Sequence, residues 1–265
     1  MSSIADPIAN AMCDLSGKTA VVTGSSTGIG RAIALELARG GANVLVHARR
    51  STSEANEVAD QIRELGRDAR VILADLVEPE NQIRLVYRAW SWRAIDVWVN
   101  NAGADVLTGT EAEWSFDEKF TELWSVDVDA TVRLGREVGA RMKSRGEGVI
   151  LNMGWDQAEM GMEGDGGQLF GTIKAAVMAF TKSLAKSLAP EVRVNCLAPG
   201  WVRTDWAGTA SDYWQQRAQG ESLVGRWGTP EDVAHVARFL ASPAASFING
   251  QTVPINGGFR GTVGL

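Results

Sequence analysis

Short, almost uninterrupted runs of aliphatic and β-branched residues recur along this chain, each followed by a longer stretch with helical spacing. Thr19 to Thr23 (TAVVT), Asn43 to His47 (NVLVH), Val71 to Ala74 (VILA), Asp96 to Asn100 (DVWVN), Gly148 to Asn152 (GVILN) and Arg193 to Cys196 (RVNC) read as strands. A strand with apolar residues on both faces must be covered on both, which happens in parallel sheets whose crossovers are helices. Helices are expected over Ile29–Arg39, Ser53–Leu65, Pro79 to about Trp92, about Thr121 to Lys143, and Leu169–Leu188. No repeat, low-complexity tract or linker divides the pattern. The expectation is an α/β fold: a single-domain, Rossmann-type, doubly wound parallel sheet flanked by helices over residues 15–265, behind an N-terminal extension of residues 1–14.

Composition narrows the function classes. The 265 residues are 45% hydrophobic and 22% charged, with a net charge of −6 at pH 7 and no basic run. Nucleic acid and anionic membrane surfaces are therefore not the expected partners. No apolar run approaches the roughly 18 residues of a membrane helix. The first fourteen residues contain Asp6, Pro7 and Asp14 and no basic region, so they do not read as a signal peptide, and a cytoplasmic location is expected. Cys13 and Cys196 form no CxxC, which suits reduced thiols. His47 and His235 stand alone in the sequence, so neither a metal site nor a histidine base is expected.

The first strand runs into Thr23-Gly24-Ser25-Ser26-Thr27-Gly28-Ile29-Gly30, which opens the first helix. Glycines let backbone N–H groups approach a pyrophosphate, and the helix N-terminus adds a favourable dipole. Cofactor choice is read about 20 residues on, at the end of the second strand. An acid there would bind a ribose 2′-hydroxyl. Ala48-Arg49-Arg50-Ser51 offers two cations and a hydroxyl instead, which suit a 2′-phosphate. NADP(H) is preferred over NAD(H) on this ground; the alternative is a solvated basic loop.

Further motifs follow in order: Asp75-Leu76, Asn100-Asn101-Ala102-Gly103, Pro199-Gly200, and a tail from Asn249-Gly250-Gln251 through Asn256-Gly257-Gly258. Together with the TGxxxGIG turn they resemble the short-chain dehydrogenase/reductase family from about Leu15 to Gly258. The resemblance implies that Gly24, Ser26, Thr27, Gly28, Ile29 and Gly30 cradle phosphate. It places Asp75 and Leu76 at the adenine, and Asn101, Ala102 and Gly103 along the cofactor. Pro199 and Gly200 would border the nicotinamide, with Val202 and Thr204 holding its amide. It also implies a homotetramer.

The chemical end departs from the family pattern. Such enzymes usually carry Tyr-xxx-Lys, a Ser about thirteen residues earlier, and an Asn on the preceding helix. The Tyr protonates the alkoxide left by hydride transfer, and the Ser fixes its oxygen. Here the motif reads Phe170-Gly171-Thr172-Ile173-Lys174, the Ser stretch reads Asn152-Met153-Gly154-Trp155, and the Asn position is Asp127. A subgroup with Tyr seven residues before the Lys would need it at Gly167. The tyrosines Tyr87 and Tyr213 are out of register. Lys174, expected to bind the nicotinamide ribose, and Asp127, its expected partner, remain as candidate catalytic residues.

The segment Trp155 to Gly167 carries four acids and is expected to overhang the nicotinamide as a loop. It reads either as a solvated acidic loop or as the source of a replacement acid, Asp156 or Glu159. A carboxylate beside a hydride donor suits a C=N substrate. Pteridine reductases of the same family are similar at His47 to Ser51, at Glu54-Ala55-Asn56 and at Asn152-Met153. Trp201, Trp206, Trp214 and Trp155 suggest aromatic walls for a flat small molecule, the substrate being flat or cationic, or else packing; packing better covers Trp90, Trp92 and Trp98. Three functions stay open: a rearranged reductase acting on C=N or activated C=C bonds; a non-catalytic NADP(H)-binding protein; and a weak carbonyl reductase rescued by water or Tyr213.

Overall fold

The computed structural model describes residues 13–204 and 210–260. Seven parallel strands form one sheet in the order β3-β2-β1-β4-β5-β6-β7. They are β1 (Thr19–Val22), β2 (Asn43–Ala48), β3 (Ala69–Leu73), β4 (Val97–Asn100), β5 (Gly148–Met153), β6 (Val192–Pro199) and β7 (Thr252–Ile255). The helices are α1 (Gly28–Arg39), α2 (Thr52–Glu64), α3 (Pro79–Trp92), α4 (Phe116–Leu123), α5 (Ala130–Arg145), α6 (Gly164–Leu188), α7 (Asp212–Glu221) and α8 (Pro230–Ala241). Most of the N-terminal extension, and Trp206, lie outside the described residues.

Both faces of the sheet are buried, and side chains alternate between them. Val22, Val44, Val46, Val99 and Leu151 pack with α1, α2 and α8 on one face. Val21, Leu45, Trp98 and Ile150 pack with α3, α5 and α6 on the other. Trp98 is fully buried, and Trp90 stacks on it with ring centroids 6.2 Å apart. This burial supports the packing role expected for that tryptophan group.

The chain reverses direction across the sheet between β1 and β4, where open α/β sheets form their ligand crevice. Thr23 closes that junction. Its N–H donates to the Val99 carbonyl at 3.0 Å. Its Oγ1 accepts the Asn101 and Ala102 N–H groups at 2.9 and 3.0 Å. The turns after β1 and β4 are thereby tied into one rim.

Two expectations need correction. The helix expected from Thr121 starts at Phe116 and contains a π segment, Trp124–Asp129, before it continues as α5. A capping box fixes its start, with Ser115 Oγ accepting from Glu118 N and the Glu118 carboxylate accepting from Ser115 N. The segment expected as a loop through Gly167 is shorter, because α6 begins at Gly164 and Asp156–Ala158 forms a 3₁₀ turn.

Candidate active site

The nucleotide end is built by backbone. Gly24 and Gly28 have φ of +60° and +55°, the left-handed region that disfavours a side chain. A Cβ on Gly30 would lie 2.1 Å from the Gly24 carbonyl oxygen and 2.4 Å from Asn101 Nδ2. Asn101 Nδ2 donates to the carbonyls of Thr23 and Gly24 at 2.9 and 3.0 Å, pinning the turn to the end of β4.

Helix α1 then starts without a side-chain cap on Thr27 and without an acid in its first turn. By contrast, α4 and α8 both carry complete capping boxes. Unsatisfied N–H groups and an uncompensated dipole make such a terminus receptive to an anion. Beside it opens a cleft of about 670 Å³ where Ser26, Thr27, Gly28, Arg31, Arg203 and Thr204 meet, with Glu54, Glu57 and Glu231 also on its lining. These residues fit a dinucleotide pyrophosphate.

His47, expected to be without partners, has two. Its Nδ1 accepts the Gly24 N–H at 3.1 Å, and Nε2 lies 3.0 Å from the Ala74 carbonyl. Since Nδ1 accepts, the ring hydrogen sits on Nε2 and donates to Ala74. Burial of the neutral ring lowers its pKa to about 4. Arg50 and Ser51 are exposed just beyond β2, and Ser51 stands at the N-cap of α2. Arg49 Nη1 lies 3.5 Å from the Glu122 carboxylate of α4. Leu76 is buried, and Asp75 Oδ1 accepts the Val77 N–H at 3.2 Å.

Side chains build the other end. Lys174 Nζ donates to Asp127 Oδ1 at 2.7 Å, with side-chain exposures of 13% and 3%. The second oxygen of Asp127 accepts the Ala104 N–H at 2.9 Å. A Cβ on Gly103 would stand 2.9 Å from Asp127 Oδ1, so the post-β4 turn approaches the pair closely. Asp127 sits in the π segment, whose widened turn lifts a side chain out of ordinary helical phase. One turn before Lys174, Phe170 packs against the cluster containing Val106, Leu123 and Ile173. Trp155 meets it edge-on at 6.5 Å.

Asp156 is 8% exposed. Its Oδ2 accepts Asn256 Nδ2 at 3.0 Å, while Oδ1 is buried with no side-chain partner among the described residues, the Gln157 backbone N–H being near enough to favour the charged form. A Cβ on Gly200 would lie 3.1 Å from Oδ2, which places this carboxyl group against the Pro199-Gly200 turn. Burial raises its pKa to about 6, with the nearby Glu221 charge adding to the effect against the Asn256 hydrogen bond. Of the other acids in the segment, Glu159 is exposed with Lys182 at 3.8 Å, and Glu163 pairs with Arg217 at 2.5 Å. The segment divides into one buried acid and several solvated ones. Tyr213 is engaged too, its hydroxyl accepting Arg217 Nη1 at 3.1 Å. Trp201 lies 5.4 Å from Trp214 and 6.1 Å from Trp227, an aromatic cluster behind α7.

A family model described as enoyl-(acyl carrier protein) reductase matches residues 24–260. A 3-oxoacyl-[acyl-carrier-protein] reductase of Aquifex aeolicus is 35% identical over 252 residues, covering 92% of this chain and 98% of its own. The chain belongs to the short-chain dehydrogenase/reductase family. Among solved structures, L-sorbose reductase from Gluconobacter frateurii, complexed with NADPH and L-sorbose, is 33% identical with a TM-score of 0.84 and covers 95% of this chain and 99% of its own. A 7α-hydroxysteroid dehydrogenase complexed with NADH and 7-oxoglycochenodeoxycholic acid is 30% identical with a TM-score of 0.85, covering 96% and 98%.

Within this short-chain dehydrogenase/reductase, the sequence-predicted residues fall into three groups. The glycine turn, Asn101, Ala102 and Gly103 form one rim, and the Thr204 methyl stands 3.8 Å from where a Gly28 Cβ would be. Lys174 and Asp127 form a second group, which reaches that rim at Gly103. Asp156 stands with Gly200 and Asn256 in a third. Sequence reasoning missed His47, Arg31, Arg203, Arg217, Glu221 and Asn256 as contributors. The S-x-x-E signature at Ser115 would have located the α4 start. Nothing local marks His47, whose partners are backbone groups 23 and 27 residues away.

Proposed function

We propose that this protein is an NADP(H)-dependent reductase of C=N or activated C=C bonds that takes its proton from Asp156 rather than from a tyrosine. Asp156 carries the reading: one carboxyl oxygen is anchored, the other has no side-chain partner among the described residues, and the group keeps its proton to about pH 6. A general acid works best with a pKa near the operating pH. Asp127 does not fill that role, since both its oxygens are taken by Lys174 and Ala104. Phe170 and Trp155 present aromatic faces where the family pattern has hydroxyls. Such a site does not serve an alkoxide, but it suits a substrate whose nitrogen accepts a proton or whose conjugated carbon does.

The turn from Gly24 to Gly30, with Asn101 and Thr204, would hold a dinucleotide that would supply the hydride. Asp156 gives its proton to the substrate nitrogen, and its carboxylate regains one from water. Lys174 binds the nicotinamide ribose hydroxyls, with its charge balanced by Asp127. Arg49, Arg50 and Ser51, with no acid among them, favour NADP(H) over NAD(H), Arg49 exchanging Glu122 for the 2′-phosphate. Trp155, Trp201 and Trp214 favour a flat substrate. The enoyl reductase description of the matched family supports C=C chemistry, whereas the carbonyl reductases among the relatives support the ordinary ketone reaction.

Fluorescence titration with NADPH and NADH, followed by NADPH oxidation against cyclic imines, dihydropterins, enones and ketones, tests this. Imine or enone turnover that collapses in Asp156→Asn is expected, with NADPH binding retained. Phe170→Tyr is expected to introduce ketone reduction, since Lys174 is already in place. Ketone turnover by the unaltered protein overturns the tyrosine-free mechanism. Binding without turnover of any substrate favours a nucleotide-sensing role instead.

A further inference from the structure

The mechanism above uses Asp156 but leaves unused a second buried acid beside it. Glu221, the last residue of α7, is 4% exposed and anchors three other segments. Its Oε2 accepts Trp201 Nε1 at 2.7 Å, from the turn after β6, and Gln157 Nε2 at 3.4 Å, from the turn that holds Asp156. Its Oε1 accepts Arg217 Nε at 2.7 Å. Arg217 continues the chain, donating from Nη1 and Nη2 to Glu163 at 2.5 and 3.2 Å, immediately ahead of α6.

Two carboxyl groups are thus buried close together with unequal partners. Glu221 has an arginine, whereas Asp156 has, among the described residues, the Asn256 amide and neighbouring backbone N–H groups but no cation. Burial without a cation favours the protonated form of Asp156. The groups facing Asp156 are Glu221 from α7, the uncharged Asn256 after β7, and the Gly200 backbone after β6. Arg217 and Glu163 stand one and two contacts farther along. The docked position of α7 ties it to the Asp156 turn through Gln157 and sets Glu221 near that acid.

We propose that Glu221 is a positioning residue: through Gln157 and its own charge it holds Asp156 in its turn as the protonated acid, so the docking of α7 governs whether the site has a proton to give. This rests on the reductase reading only for its catalytic consequence; the coupling between the two acids is a property of the unliganded chain. Lifting α7 away would hydrate Asp156 and remove the neighbouring carboxylate, and both changes release its proton.

Infrared difference spectroscopy of the full chain across a pH titration reads this directly, with the protonated carboxyl band of Asp156 assigned by its loss in Asp156→Asn. The midpoint is expected near pH 6 in the unaltered protein. Glu221→Gln, which keeps an acceptor for Trp201, is expected to move it down by the share the neighbouring charge contributes, with burial still holding it above the ordinary aspartate range. Glu163→Gln cuts only the exposed end of the chain of contacts, is not expected to disturb folding, and should give a smaller shift in the same direction. The alkaline limb of kcat/KM for imine reduction should move with the band. A midpoint unchanged in both variants overturns the proposal, even if Asp156→Asn abolishes turnover. A midpoint that moves in a protein showing no turnover keeps the coupling and defeats the reductase reading instead.

Discussion

The turn after β1 and the corner around Lys174 lie on the same rim of the sheet, yet they are built from different materials. The first consists of backbone: left-handed glycines, bare amides at the start of α1, and carbonyls gripped by Asn101. The second consists of side chains: an ion pair between α6 and the π segment, with an aromatic pair one turn before Lys174. A backbone site resists change because an added carbon atom breaks it. A side-chain site can change its chemistry by single replacements while the frame stays put.

The contrast is tested most severely by Gly30→Ala. Its methyl would land 2.1 Å from a backbone oxygen, so the cost should exceed the roughly 1–3 kcal/mol of ordinary overpacking. NADPH titration should show no binding, and any folded protein should melt far lower. Next comes Asp127→Ala, which strands a mostly buried lysine; about 3–5 kcal/mol of stability should be lost in urea unfolding. Survival of Gly30→Ala with intact binding would erase the distinction between the two ends.

Smaller effects sharpen it. His47 is neutral in the fold with a pKa near 4, below its ordinary 6.5, so the unfolded chain binds more protons across that interval. Stability should fall as pH drops from 6.5 towards 4, by roughly 3 kcal/mol in total from this residue. Denaturant midpoints measured against pH, with His47→Gln as the flattened control, check the slope. Asp156 has the opposite sense. Its native pKa of about 6 lies above the ordinary 3.8, so its contribution is lost as pH rises between these values. Asp156→Asn should therefore stabilise the protein above pH 6, by roughly 3 kcal/mol, while removing activity. A stabilised, inactive variant would mark the acid as functional rather than structural. The mildest change is Gly28→Ala. Nothing stands closer than 3.8 Å to the added carbon, leaving only the left-handed φ to oppose it, about 1 kcal/mol in thermal melts.

Much of this was readable in the sequence, because the strands advertise themselves by being apolar on both faces. β7 did not: Pro254 interrupts it, which a strand at the sheet edge tolerates. The start of α6 was hidden by glycines at Gly164, Gly166 and Gly167, which read as loop. Yet Gly167 is required inside the helix, where a Cβ would meet the Met162 carbonyl oxygen at 1.9 Å. At the site, the glycine turn followed from its place between strand and helix, and the Lys174–Asp127 pair from the family resemblance. Which acid of the Trp155–Gly167 segment would be buried did not, because burial of Asp156 depends on Asn256, Gly200 and α7, all distant in sequence. Composition counts acids; only the fold decides which one loses its water.

The π segment Trp124–Asp129 has a consequence for how this ion pair can be gained or lost. Successive helical residues are separated by about 100° around the axis. Removing one residue anywhere between the Ser115 cap and Asp127 would restore ordinary winding and swing the carboxylate away from Lys174. No point substitution at 127 would bring it back. The partnership therefore depends on chain length as well as residue identity, and an insertion or deletion in this helix would be a more drastic event for the site than most replacements within it.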